Sequence, residues 1–498
     1  MEYDCIVIGA GVAGLTAALE LACSGRKVLV VEKLACPGGF ATSFTRKGFN
    51  FESSLHCVDA LSRGGEIRDF LEDYGIDKKI SLIELNDFGR VIYPEHDFIA
   101  DFNKENFIGY LKNSFPGEKE GISRLFREMD KFYGQFDGFC GSKIPELLKL
   151  LLSPFIYNRI IKASLVNTEQ FISRFIKDEK CRAIITDIWR FVGLPPERLS
   201  AFYFLVLFRG YYCNSTAFVK GGFKELFKAM VEKIEEQGSK VMFGTCVKEI
   251  ITKNKAVKGV KTDKGENFDA RVVISNANAI DTLAVMLDDQ KIKHKYEAGL
   301  MRMEKSISAF QLYLGLKCPA RSVGMTHARM SINPGYSHSD NFGYSLKGDM
   351  DKSILEIADH SQIDASLVPE GKGSLMIMTY DNYSRWDSLP KEEYLKLKQE
   401  TADQLIRRAE VYLPGLSSQI EIMEIATPLT MQRYGSSPEG AIYGFAETVQ
   451  QSSMSRLAQD TQIKGLFLAG AWTRPGPGFH GCFVSGRDAA ELVMRFLK

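Results

Sequence analysis

Residues 5–14 read Cys-Ile-Val-Ile-Gly-Ala-Gly-Val-Ala-Gly, and residues 28–32 read Val-Leu-Val-Val-Glu. The first run is continuously apolar up to Gly9, the pattern of a strand buried on both faces of a parallel sheet. A glycine turn follows, then an Ala/Leu-rich stretch from Leu15 to Gly25 that reads as a short helix. Val28 to Val31 is a second buried strand, which closes a βαβ unit of about 30 residues. Gly9, Gly11 and Gly14 give the spacing GxGxxG, with Val12 and Ala13 between them, directly after a strand and at the opening of a helix. In that setting Gly9 permits the tight turn. Gly11 lets the backbone approach a pyrophosphate, and Gly14 lets helix and strand pack closely. The helix N-terminus then turns N–H groups and the positive end of its dipole toward the phosphates. Glu32 ends the second strand, 18 residues beyond Gly14, where a carboxylate accepts hydrogen bonds from ribose hydroxyls. A 2′-phosphate would be repelled there. The pair builds a site for the ADP half of a dinucleotide.

The remainder of the 498 residues sets bounds on the rest. That length suggests two or three domains, and 45% hydrophobic with 25% charged residues is a globular balance. A net charge of +1 gives no electrostatic case for nucleic-acid binding. Ten cysteines without a CxxC pair read as reduced thiols in a cytoplasmic protein, and no metal-ligating spacing occurs. No signal peptide is expected at the N-terminus, and no stretch approaches the roughly 18–20 apolar residues of a membrane span.

The segment 104–235 is helical by period and composition, interrupted at Pro116, Pro145, Pro154 and Pro195-Pro196. Strands are expected within 241–259 and at 272–274 and 465–470. Residues 305–385 mix strands with loops, with Ser/Asn/Gly-rich turns around 331–345. Lys391 to Tyr412 reads as an amphipathic helix, and a terminal helix is expected from Ser485 to Leu497. The fold class is therefore α/β, with a Rossmann-like nucleotide domain that is discontinuous in sequence. Its expected pieces are 1–75, 215–290 and 420–498. A mixed-sheet substrate domain takes 76–103 and 291–419, and 104–214 forms a helical lid or membrane-facing segment. Within it, residues 144–162 combine apolar and aromatic residues with Lys149, Arg159 and Lys162, the pattern of an interfacial segment whose cations reach lipid headgroups. A core helix pair or a lid fits the same residues. The run 202–208 reads as core or tunnel wall.

Beyond Glu32, Gly38-Gly39 and the following Phe40-Ala41 continue in a way that resembles the glutathione-reductase-type FAD proteins. Leu466 to Gly478, followed by Ser485-Gly486-Arg487-Asp488-Ala489-Ala490, is similar to the segment that returns to cover the flavin in that superfamily. With Phe218-Val219-Lys220-Gly221-Gly222-Phe223 and the stretch from Cys246 to Ala277, the chain resembles the phytoene desaturase, carotenoid isomerase and retinol saturase family. The resemblance implies FAD as cofactor, held by Gly9, Gly11, Val12, Ala13, Gly14, Glu32, Lys33, Gly38, Gly39, Phe40, Ala41, Val247, Asn276, Gly470, Ala471, Gly478, Phe479 and His480. The Val247 position would meet adenine through its backbone. Two positions depart from the family pattern. Ala471 stands where an Asp often follows the glycine, and Phe51-Glu52-Ser53-Ser54-Leu55-His56 keeps the histidine of Phe-Asp-x-Gly-x-His without its glycine.

That resemblance implies an oxidoreductase acting on C=C or CH–CH bonds of a carotenoid, retinoid or similar apolar polyene, by desaturation, saturation or isomerisation. Without a second GxGxxG or a CxxC relay, electrons would pass to or from a diffusing partner: a quinone, O₂ or reduced nicotinamide. His56 and His480 are the candidate catalytic groups, because imidazole exchanges protons near neutral pH. Arg474 is a candidate to stabilise anionic reduced flavin. Two alternatives remain open, a flavin amine oxidase and a non-catalytic flavin protein docking to a membrane partner. Location is expected to be cytoplasmic, with peripheral membrane contact.

Overall fold

The apolar strand β1 (Tyr3–Ile8) lies at the centre of a parallel sheet, and every residue from Cys5 to Ile8 is at most 5% exposed. In the computed structural model, which describes residues 3–141, 156–213 and 216–498, helix α1 spans Val12–Cys23 and β2 spans Val28–Val31. The helix begins three residues earlier than its Ala/Leu composition implies, because Gly11 is already its N-cap. Strand Lys240–Met242 pairs with β2, β2 with β1, β1 with Asn267–Ser275, and that strand with Leu466–Leu468, all parallel. The near end of Asn267–Ser275 also joins an antiparallel meander with Val247–Lys253 and Ala256–Thr262. Three segments distant in sequence thus complete one nucleotide-binding sheet. α1 packs against the terminal helix, which spans Phe479–Leu497 and so starts six residues before the expected Ser485.

A second sheet of seven strands runs in the order 420–426, 308–316, 373–381, 355–358, 329–332, 87–92, 97–101. All pairs are antiparallel except Arg329–Ile332 with Asp87–Ile92, so the sheet is mixed. Two boundary expectations change here. Strand Ile420–Ala426, expected with the nucleotide domain, instead edges this sheet against Ser308–Leu316. Strand Leu82–Leu85, expected with the substrate domain, pairs with Thr216–Val219. The turns expected around 331–345 include a helix, His338–Lys347, which Ser337 caps at its start and left-handed Gly348 ends. His338, Asn341, Phe342 and Ser345 are buried, a helical spacing that outweighs the turn-prone composition.

Helices Lys104–Ser114, Lys119–Gly141, Asn158–Ser164 and Ala201–Tyr212 pack over the second sheet through an aromatic core that includes Phe107, Phe132, Phe204 and Phe208. Of the interfacial candidate 144–162, residues 144–155 lie outside the described residues. In the described part Tyr157 is buried and Arg159 pairs with Glu128 at 2.8 Å, while Ile156 and Lys162 are exposed. No helix among the described residues is long and apolar enough to cross a membrane.

Candidate active site

The N-terminus of α1 opens onto a cavity of about 1880 Å³ that extends from the nucleotide sheet to the mixed sheet. Along one side it is walled by Gly9, Gly11, Val12, Ala13, Glu32, Lys33, Gly38, Gly39, Phe40 and Ala41. Val247, Asn276, Ala471, Gly478, Phe479 and His480 border it as well. Gly14 and Gly470, expected with these, lie behind the wall. A Cβ on Gly14 would sit 2.1 Å from the Gly9 carbonyl oxygen, and one on Gly470 would sit 2.4 Å from Asn276 Nδ2. Their part is to let the glycine turn close.

Asn276 is the fastener of that turn. Its Oδ1 accepts from Gly14 N–H at 3.0 Å, and its Nδ2 donates to the Ala469 carbonyl at 3.2 Å. One amide thereby ties α1 to the C-terminal strand that leads into the loop 470–478. Asn276 lines the cavity, yet both of these bonds are structural ties between distant segments. Glu32 is 6% exposed, and each of its oxygens takes one backbone N–H, from Ala10 at 2.7 Å and from Leu34 at 2.8 Å. Each carboxylate oxygen keeps a further lone pair for a ribose hydroxyl. Lys33 donates to the Arg433 carbonyl at 2.9 Å and to Ser436, so it buttresses the far wall rather than reaching free into the cavity. A glycine-lined helix N-terminus with an acid at the next strand end fits the ADP moiety of FAD, and the cavity volume leaves room beyond it.

The C-terminal loop is braced from beneath. Arg456 and Glu447 form an ion pair at 2.7 Å with both side chains fully buried. Arg456 also donates to the carbonyls of Thr473 at 2.9 Å, Phe445 at 3.1 Å and Ala471. Burial pushes the Glu447 carboxyl up to about 7 against the pull of Arg456. Tyr203 donates to the Pro477 carbonyl at 2.8 Å, so the helix Ala201–Tyr212 touches the same loop. That helix both fills the core, through Phe204 and Phe208, and lines the cavity, through Phe202, Val206 and Leu207. Arg474 borders the cavity too, and its guanidinium donates to the carbonyls of Arg456, at 3.1 Å, and Met454.

His480 stands at the start of the terminal helix with Nδ1 2.9 Å from Asp59 Oδ2 and Nε2 3.3 Å from Glu66 Oε2. Burial disfavours the charged ring, but the bonds and charges of the two carboxylates outweigh it and lift the pKa to about 10. His480 is therefore a cation at neutral pH. His56 has the opposite setting. Burial, the charge of Arg329 and the neighbouring His360 hold its pKa well below the usual imidazole value. Its ring stacks on His360 with centroids 5.2 Å apart, and Nδ1 lies 3.1 Å from His360 Nε2.

Beyond the expected residues lies a buried ionic cluster. Arg190 bridges Asp187 and Glu356, and Arg329 Nη2 lies 3.5 Å from Glu356 Oε2. Arg190, Arg329 and Glu356 all line the cavity, beside Gln311, Tyr313 and Tyr443. The sequence does carry a signal for them. Glu356 interrupts Ile354-Leu355 and Ile357-Ala358, an otherwise apolar run, and Arg329 opens the strand Arg329–Ile332 as its one charge.

The family model described as flavin containing amine oxidoreductase matches residues 12–494. Among curated proteins, prolycopene isomerase 2, chloroplastic, of an Oncidium hybrid cultivar is 28% identical over 99% of this chain and 84% of its own length. The lycopene-forming phytoene desaturase of Pseudescherichia vulneris is 27% identical over 99% of both chains. The all-trans-retinol 13,14-reductase of Danio rerio is 26% identical over 94% of this chain and 82% of its own. Among solved structures, an oxidoreductase from Methanosarcina mazei superposes with a TM-score of 0.66 at 17% identity, covering 98% of this chain and 100% of its own. Putrescine oxidase superposes at 0.60 with 16% identity, over 99% of both. These two likenesses speak to the fold. With the glycine turn, Glu32 and the returning C-terminal loop gathered around one cavity, the chain belongs to the flavin containing amine oxidoreductase family and is an FAD-dependent oxidoreductase.

Proposed function

We propose that this enzyme acts on C=C or CH–CH bonds of a carotenoid, retinoid or similar long apolar polyene. The observation that carries the reading is the single cavity of about 1880 Å³, which continues from the dinucleotide cradle into an aromatic and aliphatic chamber under the mixed sheet. A pocket for one drug-sized ligand has a volume of roughly 300–1,000 Å³, so this one has room for a dinucleotide and a second elongated molecule. The names of the desaturase, isomerase and reductase relatives point the same way. When bound, FAD supplies hydride exchange with carbon; the protein supplies orientation and exclusion of water.

In this reading Gly9, Gly11 and α1 hold the pyrophosphate, Glu32 holds the adenosine ribose, and Val247 meets adenine. Arg456 and Tyr203 keep the loop 470–478 against the cofactor. His480 keeps its proton at neutral pH and acts as a fixed positive charge beside the Gly478–Cys482 turn. His56 faces the chamber as a neutral imidazole and is the group placed to exchange a proton there. Electrons would pass to or from a diffusing quinone, O₂ or reduced nicotinamide, because the sequence has neither a CxxC relay nor a second GxGxxG. Exposed Ile156, Leu165 and Lys162 near the helix Asn158–Ser164 are suited to a peripheral membrane contact through which an apolar substrate would enter.

The test is anaerobic incubation of the FAD-loaded enzyme with polyenes, retinoids and unsaturated fatty acids, reading flavin absorbance and product mass. A product two mass units lighter, two heavier or unchanged marks desaturation, saturation or isomerisation. Flavin bleaching by amines, with peroxide released in air and no response to any polyene, would replace this reading with an amine oxidase. Bound FAD that no substrate or donor cycles would favour a non-catalytic flavin protein.

A further inference from the structure

Phe191, Phe202, Val206, Leu207 and Ile442 line the chamber, and Arg329 of the strand Arg329–Ile332 adds a charge to that lining. Arg329 is only 8% exposed, and its guanidinium lies 4.8 Å above the Phe191 ring, which itself stacks on Tyr211. Nη2 reaches Glu356, but Nη1 is buried and has no acceptor in the protein. A buried donor without a partner is costly, more so when charged. Its placement is built in by the backbone: a Cβ on Gly89, across the sheet, would sit 2.2 Å from the Arg329 carbonyl oxygen, so only glycine lets the strand pack there. Arg329 and His56 also border a smaller cavity of about 240 Å³, which gives the polar spot room for more than a hydrocarbon edge.

The charge balance selects the kind of acceptor. Arg190 and Arg329 are matched by Asp187 and Glu356, two cations against two anions. His56 and His360 are held neutral by burial and by Arg329. A bound carboxylate would leave an unmatched anion in a closed site, which desolvation penalises heavily. A hydroxyl or carbonyl oxygen brings a lone pair without a charge. We propose that Arg329 Nη1 recognises a neutral oxygen, a hydroxyl or carbonyl, carried by the apolar substrate. The inference rests on the polyene reading above and narrows it to chains that carry a neutral oxygen.

The test uses the FAD-loaded enzyme and four molecules with one C20 skeleton: retinol, retinal, retinoate and the hydrocarbon axerophthene. Binding is read from the shift of the oxidised flavin absorbance. Retinol or retinal is expected to bind about ten- to a hundredfold more tightly than the hydrocarbon and the carboxylate, the range of one hydrogen bond to a charged donor. Arg329→Gln is expected to remove that preference, read as the ratio of retinol to hydrocarbon affinity within the one variant. Arg329→Lys, which keeps a cation beside Glu356, guards against a folding defect and is expected to lose most of the preference. Equal binding of all four, or a preference that survives both substitutions, overturns the inference and leaves the polyene reading intact, with water serving Nη1. Tightest binding of retinoate overturns the choice of a neutral oxygen. If none of the four binds, both readings fall.

Discussion

His480 Nδ1 lies 2.9 Å from Asp59 Oδ2, which joins the first turn of the terminal helix to the end of a two-residue strand more than four hundred positions earlier in the chain. The partnership raises the folded-state pKa to about 10, above the ordinary value near 6.5. Its stabilising effect is therefore full below pH ~6.5 and fades as pH rises toward 10. Asp59→Asn is expected to lower thermal stability by about 1.5–3 kcal/mol at pH 6, with the deficit shrinking steadily up to pH 10. Melting curves of both proteins across that range check it; a deficit that grows with pH would disprove the protonated state.

His56 supplies the complementary pH prediction. Its pKa lies well below the usual imidazole value, and that of His360 is lowered to about 4. Both rings therefore rest neutral between pH 6 and 8. The pH profile of kcat/KM is expected to lack a histidine limb in that interval, and His56→Gln to lower kcat without introducing one. A limb near pH 6.5 that vanishes in His56→Gln would contradict the neutral assignment.

Gly14 is expected to tolerate nothing larger. Its added Cβ would lie 2.1 Å from the Gly9 oxygen and 3.1 Å from Asn276 Oδ1, both parts of the turn itself. Gly14→Ala should cost at least about 1–3 kcal/mol and yield protein depleted of FAD. Asn276→Ala leaves the steric room but unties Gly14 from Ala469, so partial FAD loss is expected. The ratio of flavin to protein absorbance after purification ranks the two.

The nucleotide half of this site was legible because its chemistry is local. Gly9 to Gly14 and Glu32 act within one βαβ unit, and their spacing alone encodes turn, helix and acid. The start of the terminal helix is hidden because the glycine- and proline-rich stretch 470–478 runs straight into Phe479-His480-Gly481-Cys482, with Gly478 itself serving as the N-cap. The place of the strand 420–426 in the second sheet is not legible, because its partner, 308–316, is more than a hundred residues away and strand pairing leaves no mark in either sequence. For Arg329, Arg190 and Glu356 the sequence shows only that two of them are charges set in strands; the packing of three segments makes them one buried cluster.

Glu32 carries a prediction that separates binding from folding. Its two oxygens already receive Ala10 and Leu34 N–H groups, so Glu32→Gln disturbs the turn as well as the ribose contact. The amide nitrogen would face one of those donors and leave it unpaired, at about 1–3 kcal/mol. FAD affinity is expected to fall at least tenfold, with apoprotein stability falling too. Glu32→Asp shortens the reach while keeping both acceptors, and is expected to weaken FAD more than it weakens the apoprotein. Flavin fluorescence titration and apoprotein melting measure the two effects apart.

The pair Arg456–Glu447 is fully buried beneath the loop 470–478. Removing the cation leaves a carboxylate without compensation in a closed site, so Arg456→Met is expected to cost about 3–5 kcal/mol and to release FAD by freeing the Ala471 and Thr473 carbonyls. Glu447→Gln behaves differently. The carboxyl has a folded-state pKa of about 7, raised above its ordinary 4.5 by burial. Protonation at Glu447 thus favours the folded state below pH 4.5, and that stabilisation is lost as pH rises through 7. A glutamine cannot lose it. The difference in stability between wild type and Glu447→Gln should therefore shift in favour of the variant between pH 4.5 and 7, even if Arg456 loses a partner and both curves sit lower overall. Denaturation of both proteins at pH 5 and pH 8 decides the matter: a difference that is constant across the two would mean that Glu447 is ionised throughout and that Arg456 holds it charged.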